Sequence, residues 1–397
     1  MLKVGLLNDS FPPMIDGVAN ATYNYASIIN QKYGTPTVIV PYYPNVFDHH
    51  PFEVYRYSSL PQVGKMPYRI GNPFLPNNLI DIRKKELDIM HSHCPFASSM
   101  FARAINSMPK AKKIPTVFTY HTKFDVDIDR YVHNEKFNKV ARKFVVENIS
   151  SADEVWVVSK GAGQNLKELG YKGEYIVMPN GCDFEKGVAS KEEMQELKQK
   201  HNISDDELVF LFVGRMMWYK NLQLIMDALK IVKDANIKFK AFFIGDGADK
   251  PAAVQYAKNI GIGKETEFLG AIYERKDIKV YFSISDLLLF PSVYDTSGLV
   301  VIEAAACDCA SLLIKDSCAS EGVTDMVSGL LAEENAESCA KKIIEATKEK
   351  GFLERLGKNA GEMVYCSWET SVERAVKRYE IVIDNFNRKN YKKCWFK

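Results

Sequence analysis

Short apolar runs recur along the chain, each separated from the next by a longer amphipathic stretch, and they fall into two series. The first occupies residues 4–8, 37–40, 89–91, 116–120, 154–158 and 176–178; the second occupies 208–213, 240–244, 267–269, 287–290 and 311–314. A strand that is apolar almost throughout must be covered on both faces, which is the position of a parallel strand between helices. Strand and helix in strict alternation predict an α/β fold of doubly wound, Rossmann-like sheets. The alternation breaks once, in the charged stretch Ser190-Lys191-Glu192-Glu193-Met194-Gln195-Glu196-Leu197-Lys198, which contains no strand. That break sets a domain boundary near residue 185, giving domains over 1–185 and 186–366 and a terminal segment over 367–397. With 397 residues and 46% apolar content, each half has material for its own core. Past residue 330 the pattern is helical, over 336–349, 352–365 and 368–387.

The formal net charge of +2 leaves no electrostatic footprint for nucleic acid. No apolar run reaches the length of a membrane span, and the first run meets Asp9 too early for a signal peptide. Eight cysteines lie scattered, and Cys307-Asp308-Cys309 is too close for an ordinary disulfide or half a zinc site. The expected setting is a reducing cytoplasm.

The richest segment is Pro291-Ser292-Val293-Tyr294-Asp295-Thr296-Ser297-Gly298-Leu299-Val300-Val301-Ile302-Glu303-Ala304. It leaves an apolar run and opens a helix at about Gly298, so backbone N–H groups near Ser297, Gly298, Leu299 and Val300 face outward where a phosphate is favoured. Asp295 and Glu303 flank this turn, with Glu303 placed to meet ribose hydroxyls. The run at 208–213 ends in Gly214-Arg215, with Lys220 five residues on. A glycine admits close backbone approach, and two cations offset a diphosphate. A plain strand–helix connection with surface charges also accounts for each piece taken singly.

As an ordered set these residues resemble the retaining family 4 glycosyltransferases of GT-B architecture. The family's Glu-x7-Glu corresponds to Asp295 and Glu303, with Asp in first place, and its Gly-Arg and Lys correspond to Gly214, Arg215 and Lys220. Its Pro-Asn-Gly-x-Asp corresponds to Pro179-Asn180-Gly181-Cys182-Asp183, its Gly-Asp-Gly to Gly245-Asp246-Gly247, and its closing Trp-Glu to Trp368-Glu369. The resemblance implies two facing Rossmann-like domains with a ligand cleft and a last helix returning to the first domain. It implies that Gly17, in Pro13-Met14-Ile15-Asp16-Gly17-Val18, lets backbone approach the donor phosphates. It also implies that His121, in Thr119-Tyr120-His121-Thr122, lies near the donor hexose, with Asp16, Tyr120 and Thr122 on the acceptor side. His91 and His93 end another strand and are read as supporting or packing residues. Cys307-Asp308-Cys309 departs from the family's Cys-Gly.

The implied reaction retains anomeric configuration and needs no metal or other cofactor. The nucleotide sugar, UDP-glucose or similar, is a substrate. Asp125-Val126-Asp127-Ile128-Asp129 has the look of a metal motif and is read instead as a solvated or acceptor-side loop. No pair of carboxylates is required, unlike a glycosidase. A dehydrogenase is disfavoured because Gly245-Asp246-Gly247 lacks the third glycine; an epimerase or a non-catalytic nucleotide-sugar binder remains as an alternative. Asp16-Gly17-Val18, Tyr120-His121-Thr122 and Asp295-Thr296-Ser297-Gly298-Leu299 look closest to members that glucosylate diacylglycerol, which points to a membrane lipid as acceptor. Lys136, Lys139, Arg142 and Lys143 on one side of an expected helix, with Phe137, Val140 and Phe144 on the other, fit a basic amphipathic element at an anionic membrane. So does the acid-free stretch 386–397. The same patterns suit a helix packed on the sheet and a solvated tail, with a soluble or polysaccharide sugar as acceptor.

Overall fold

The structure, a computed structural model, describes residues 1–14, 16–61, 69–109, 111–131 and 134–395; the side chains of 126, 127, 130, 131 and 390–395 lie outside the description. The chain divides into two compact units, Met1–Asn180 with Trp368–Lys397, and Gly181–Ser367. The division at Asn180 and Gly181 precedes the boundary expected near residue 185. The charged stretch begins the second unit as helix Lys191–Lys200, started by a capping box between Ser190 and Glu193.

In unit 1, strands β1 (Leu2–Leu7), β2 (Gly34–Pro41) and β3 (Glu53–Tyr57) precede a short antiparallel ribbon of β4 (Ser59–Leu60) and β5 (Ile70–Gly71). Strands β6 (Ile89–Ser92), β7 (Thr116–Tyr120), β8 (Glu154–Val157) and β9 (Ile176–Val177) follow. The parallel sheet runs β3-β2-β1-β6-β7-β8-β9. Unit 2 holds β10 (Leu208–Val213), β11 (Phe239–Ile244), β12 (Thr266–Gly270), β13 (Leu287–Phe290), β14 (Ala310–Ile314) and β15 (Leu330–Ala332), in the order β12-β11-β10-β13-β14-β15. Each order reverses direction at its first strand. In such sheets ligands bind beyond the carboxyl ends of the strands at the reversal, here β1 and β6 in unit 1 and β10 and β13 in unit 2.

Each sheet is covered on both faces. In unit 2, Phe210, Phe212 and Phe243 point into one core layer while Leu211, Phe242 and Leu288 point into the other. The last helix, Trp368–Trp395, supplies Trp368, Val372, Ala375, Val376 and Tyr379 to the core of unit 1. It continues past residue 387, where the sequence pattern suggested a loose tail. Of that tail, the side chains of Tyr391, Lys392, Lys393 and Trp395 and all of Phe396 and Lys397 lie outside the described residues. No helix among the described residues is long and apolar enough to cross a membrane.

Two further expectations change. The acidic stretch beginning at Asp125 is helical, in Phe124–Tyr131, rather than a loop. Asp125 Oδ2 accepts from Asn165 Nδ2 at 3.0 Å, and Asp129 Oδ1 accepts from Asn138 and Arg142 at 2.6 Å each. The two carboxylates are thus tethered separately, and Asp127's side chain lies outside the described residues. In helix Glu135–Ser150 the buried residues are Val145, Asn148 and Ile149, so Phe137, Val140 and Phe144 do not pack on the sheet.

Candidate active site

The loops beyond β10 and β13 meet through an ion pair. Lys220, only 8% exposed, donates from Nζ to Asp295 Oδ1 at 2.6 Å and Oδ2 at 2.7 Å. Its ammonium also lies 5.7 Å and 5.5 Å from the ring centres of Tyr219 and Tyr294, within cation–π range. Two of three ammonium protons are committed, which leaves one for an anion. Asn221 follows at φ 58° and donates to Pro291 O at 3.0 Å, tying the two loops together a second time. Arg215 is exposed, and its guanidinium makes no hydrogen bond or ion pair with the described residues, so its charge is uncommitted.

Gly298 caps helix Leu299–Ala306 in the left-handed conformation, φ 57° and ψ 57°. A Cβ there would stand 2.8 Å from Ala319 Cβ, so both the dihedral and the space call for glycine. The first-turn amides of Leu299 and Val300 have no intrahelical partner, the condition for anion binding. Half-buried Ser297 precedes this turn. On the next turn Glu303 Oε1 accepts from Arg275 Nη2 at 2.6 Å, and the same nitrogen donates to Asp183 Oδ1 at 2.5 Å. Burial pushes the Glu303 carboxyl above its ordinary pKa, and Arg275 pulls it back.

Gly245 follows β11 at φ 134°, and a Cβ there would lie 1.9 Å from Gly214 O. Gly214 in turn donates its N–H to Ile244 O at 3.0 Å. The Gly-Asp-Gly element therefore seats the loop that carries Arg215.

In unit 1 the corresponding strand ends carry imidazoles. His93 Nδ1 and His121 Nε2 share a hydrogen bond of 3.0 Å, one ring donating to the other, and both residues are buried. His91 bonds Tyr379 Oη and Thr119 Oγ1, each at 2.6 Å. Burial pushes His121 down to about 3 and holds His91 and His93 well below the usual imidazole value, so all three are neutral at pH 7. Asp16 is spent on its own helix, accepting from Val18 N at 2.9 Å and Ala19 N at 2.7 Å as the cap of Gly17–Ile28. A Cβ at Gly17 would meet nothing within 4 Å, so packing inside the chain does not demand glycine there. Tyr120 is wholly buried and donates to Asn165 Oδ1 at 2.7 Å, which places it beneath the surface rather than on it. Thr122 is half-buried at the surface of the same loop.

The imidazoles make a pH prediction. Their folded pKa values lie below the unfolded value of about 6.5, so they add no penalty above that pH. Below it the unfolded chain binds protons that the folded chain refuses, and each imidazole removes at most ~1.4 kcal/mol per pH unit. Urea midpoints should fall as pH drops from 7 to 5, and His91→Phe should flatten that slope.

Sequence reasoning missed Arg275, which stands alone at a helix start and offers no motif, and the role of Asp183, visible only as part of a longer motif. The comparisons with known proteins bear on the whole arrangement. Residues 193–363 match the model of Glycosyl transferases group 1, and residues 15–186 match that of Glycosyltransferase Family 4. The chain is 25% identical over 372 residues to the alpha-monoglucosyldiacylglycerol synthase of Acholeplasma laidlawii, covering 90% of this chain and 92% of that protein. It is 25% identical over 356 residues to the N-acetyl-alpha-D-glucosaminyl L-malate synthase of Bacillus anthracis, covering 88% and 86%. Among solved structures, Anabaena Alr3699/HepE in complex with UDP superposes with a TM-score of 0.75 at 18% identity, covering 96% of this chain and all of that one. Two family domains in this order, on two doubly wound sheets, make the chain a member of the GT-B glycosyltransferases of family 4 and group 1, and hence an enzyme that transfers a sugar from a nucleotide sugar.

Proposed function

We propose that the chain moves a hexose, from UDP-glucose or a close analogue, to the hydroxyl of a membrane glycerolipid, with retention of configuration and without a metal. The donor site is in unit 2. Arg215, the third proton of Lys220 and the amides of Leu299 and Val300 face the diphosphate, while Glu303 takes the ribose and Asp295, besides holding Lys220, takes the hexose hydroxyls. As the bond from C1 to the phosphate oxygen breaks, its electron pair moves onto that oxygen, and these groups stabilise the charge. The acceptor oxygen bonds C1 on the same face and its proton passes to the departing phosphate oxygen. Neutral His121 suits a hydrogen bond to sugar rather than a charge contact. Two cations and a helix terminus offset the phosphates without a divalent ion.

The observation that carries the lipid acceptor is helix Glu135–Ser150. Phe137 and Val140 are 68% and 65% exposed, and Phe144 is exposed beside them, along a helix bearing Lys136, Lys139, Arg142 and Lys143. A stripe of this kind beside lysines fits an anionic bilayer and supports a reading of peripheral attachment to the inner face of the cell membrane. The Acholeplasma relative, by its name, makes alpha-monoglucosyldiacylglycerol. The Bacillus relative, by its name, makes N-acetyl-alpha-D-glucosaminyl L-malate, which keeps a soluble acceptor as a second reading.

One experiment separates them. The protein is incubated with candidate donors, with and without EDTA, alongside diacylglycerol in anionic vesicles or soluble acceptors. Transfer from UDP-glucose to lipid, unaffected by EDTA, together with vesicle binding that weakens in Phe137→Ser/Phe144→Ser, is the expected result. Efficient transfer to a soluble acceptor with no vesicle binding at low salt would overturn the lipid reading. Loss with EDTA and recovery with magnesium or manganese would overturn the metal-free one.

A further inference from the structure

Asp183 closes the motif Pro179-Asn180-Gly181-Cys182-Asp183, and nothing in the donor site described above uses it directly. Its carboxylate reaches Arg275, whose Nη2 is divided between Asp183 Oδ1 and Glu303 Oε1. The guanidinium also lies over a ring, with its central carbon 4.1 Å from the centre of Phe184. Arg275 is therefore held on three sides, by an acid, a ring and Glu303, although its side chain is 43% exposed. Glu303 Oε2 makes no hydrogen bond with the described residues.

We propose that Arg275, anchored by Asp183 and Phe184, is a positioning residue that takes one oxygen of Glu303 and thereby presents the other to the vicinal hydroxyls of the donor's ribose. This rests on the reading of Glu303 as the ribose-binding carboxylate. The physical need is plain: a carboxylate accepts two ribose hydroxyls well only when its plane is fixed and its charge retained. Glu303 is nearly buried with a second acid, Asp183, close by, and without a cation between them one of the two would take up a proton. A single guanidinium nitrogen shared by both acids orients Glu303 and keeps it ionised.

The test measures dissociation constants for UDP and 2′,3′-dideoxy-UDP by calorimetry, in wild type and in Glu303→Gln, Arg275→Met, Arg275→Lys and Asp183→Asn. Wild type should prefer UDP by about 10-fold or more, as for hydrogen bonds to a charged acceptor. Arg275→Met, which keeps an unbranched stem on Phe184, should bring that ratio close to one with dideoxy-UDP affinity little changed. Arg275→Lys should recover part of it, and Asp183→Asn should narrow it. A role confined to folding would lower the affinity for both ligands alike and leave the ratio standing. If wild type binds both equally, or neither, the ribose reading falls and this inference with it. If Glu303→Gln abolishes the preference while folded Arg275→Met preserves it, Glu303 keeps its role and the positioning role of Arg275 is overturned.

Discussion

Lys220→Ala is expected to cut turnover by about 10²-fold or more while the protein stays folded, the usual cost of removing one donor to charge that develops in the transition state. Lys220 lies where the β10 and β13 loops meet, and Asp295 fixes its ammonium by two contacts of 2.6 Å and 2.7 Å. It is thus a preorganised charge rather than a flexible surface lysine, and alanine removes it. Asp295→Asn separates the two functions of the pair: it should free the ammonium from its tether and lower turnover less than Lys220→Ala. Arg215→Ala belongs in the same series, because Arg215 is exposed and its replacement disturbs no packing. Stopped assays of nucleoside diphosphate release give the rates. Near-normal turnover in both Lys220→Ala and Arg215→Ala would reject the phosphate site.

Gly245→Ala should be strongly destabilising, at more than ~4 kcal/mol, a range reached by few single substitutions. Two causes add. The residue sits at φ 134°, a conformation that L side chains rarely adopt, and the new Cβ would lie 1.9 Å from the backbone oxygen of Gly214. The Gly214 carbonyl sits just past the end of β10, where the Gly214 N–H is bonded to Ile244 O, so it cannot swing aside as a side chain tip can and the ends of β10 and β11 would have to part. A fall in melting temperature of roughly 8 °C or more is expected for a unit of this size. Gly17→Ala is the control, since its Cβ meets nothing within 4 Å, and should shift stability little. Equal melting temperatures for the two variants would show that the strand ends are more pliable than their packing implies.

The strands that were legible from the residues alone were the apolar ones, such as Leu208–Val213 and Leu287–Phe290, because burial on both faces leaves an unbroken signature. Glu53–Tyr57 was not, because an edge strand is covered by less protein and tolerates Glu53 and Arg56. Leu330–Ala332 is too short to stand out from its surroundings. Of the candidate site, the residues alone offered Gly298 as the opening of a helix, which the structure has at Leu299, and Lys220 and Asp295 as separate groups, though not their ion pair. Seventy-five residues separate those two, and only the crossing from β10 to β13 brings them together. Arg275 was invisible for the same reason. The departure at Asp308 also resolves: it adopts φ 53°, which Asp enters more readily than most residues, so it can stand where the family pattern has Gly.

Unit 2 is one unbroken stretch of chain, whereas unit 1 is made of two stretches that lie on either side of it. During synthesis from the N-terminus, the strands of unit 1 emerge first, yet its core lacks Val372, Ala375, Val376, Tyr379 and Val382 until the ribosome has passed them. His91 likewise has no partner for its Nδ1 before Tyr379 arrives. The later unit can therefore finish first, leaving the earlier one as an open apolar surface that must wait, without aggregating, for its missing helix. Production conditions that slow elongation past residue 367 lengthen this wait, and a nascent chain stalled there is the form on which holding chaperones should be found.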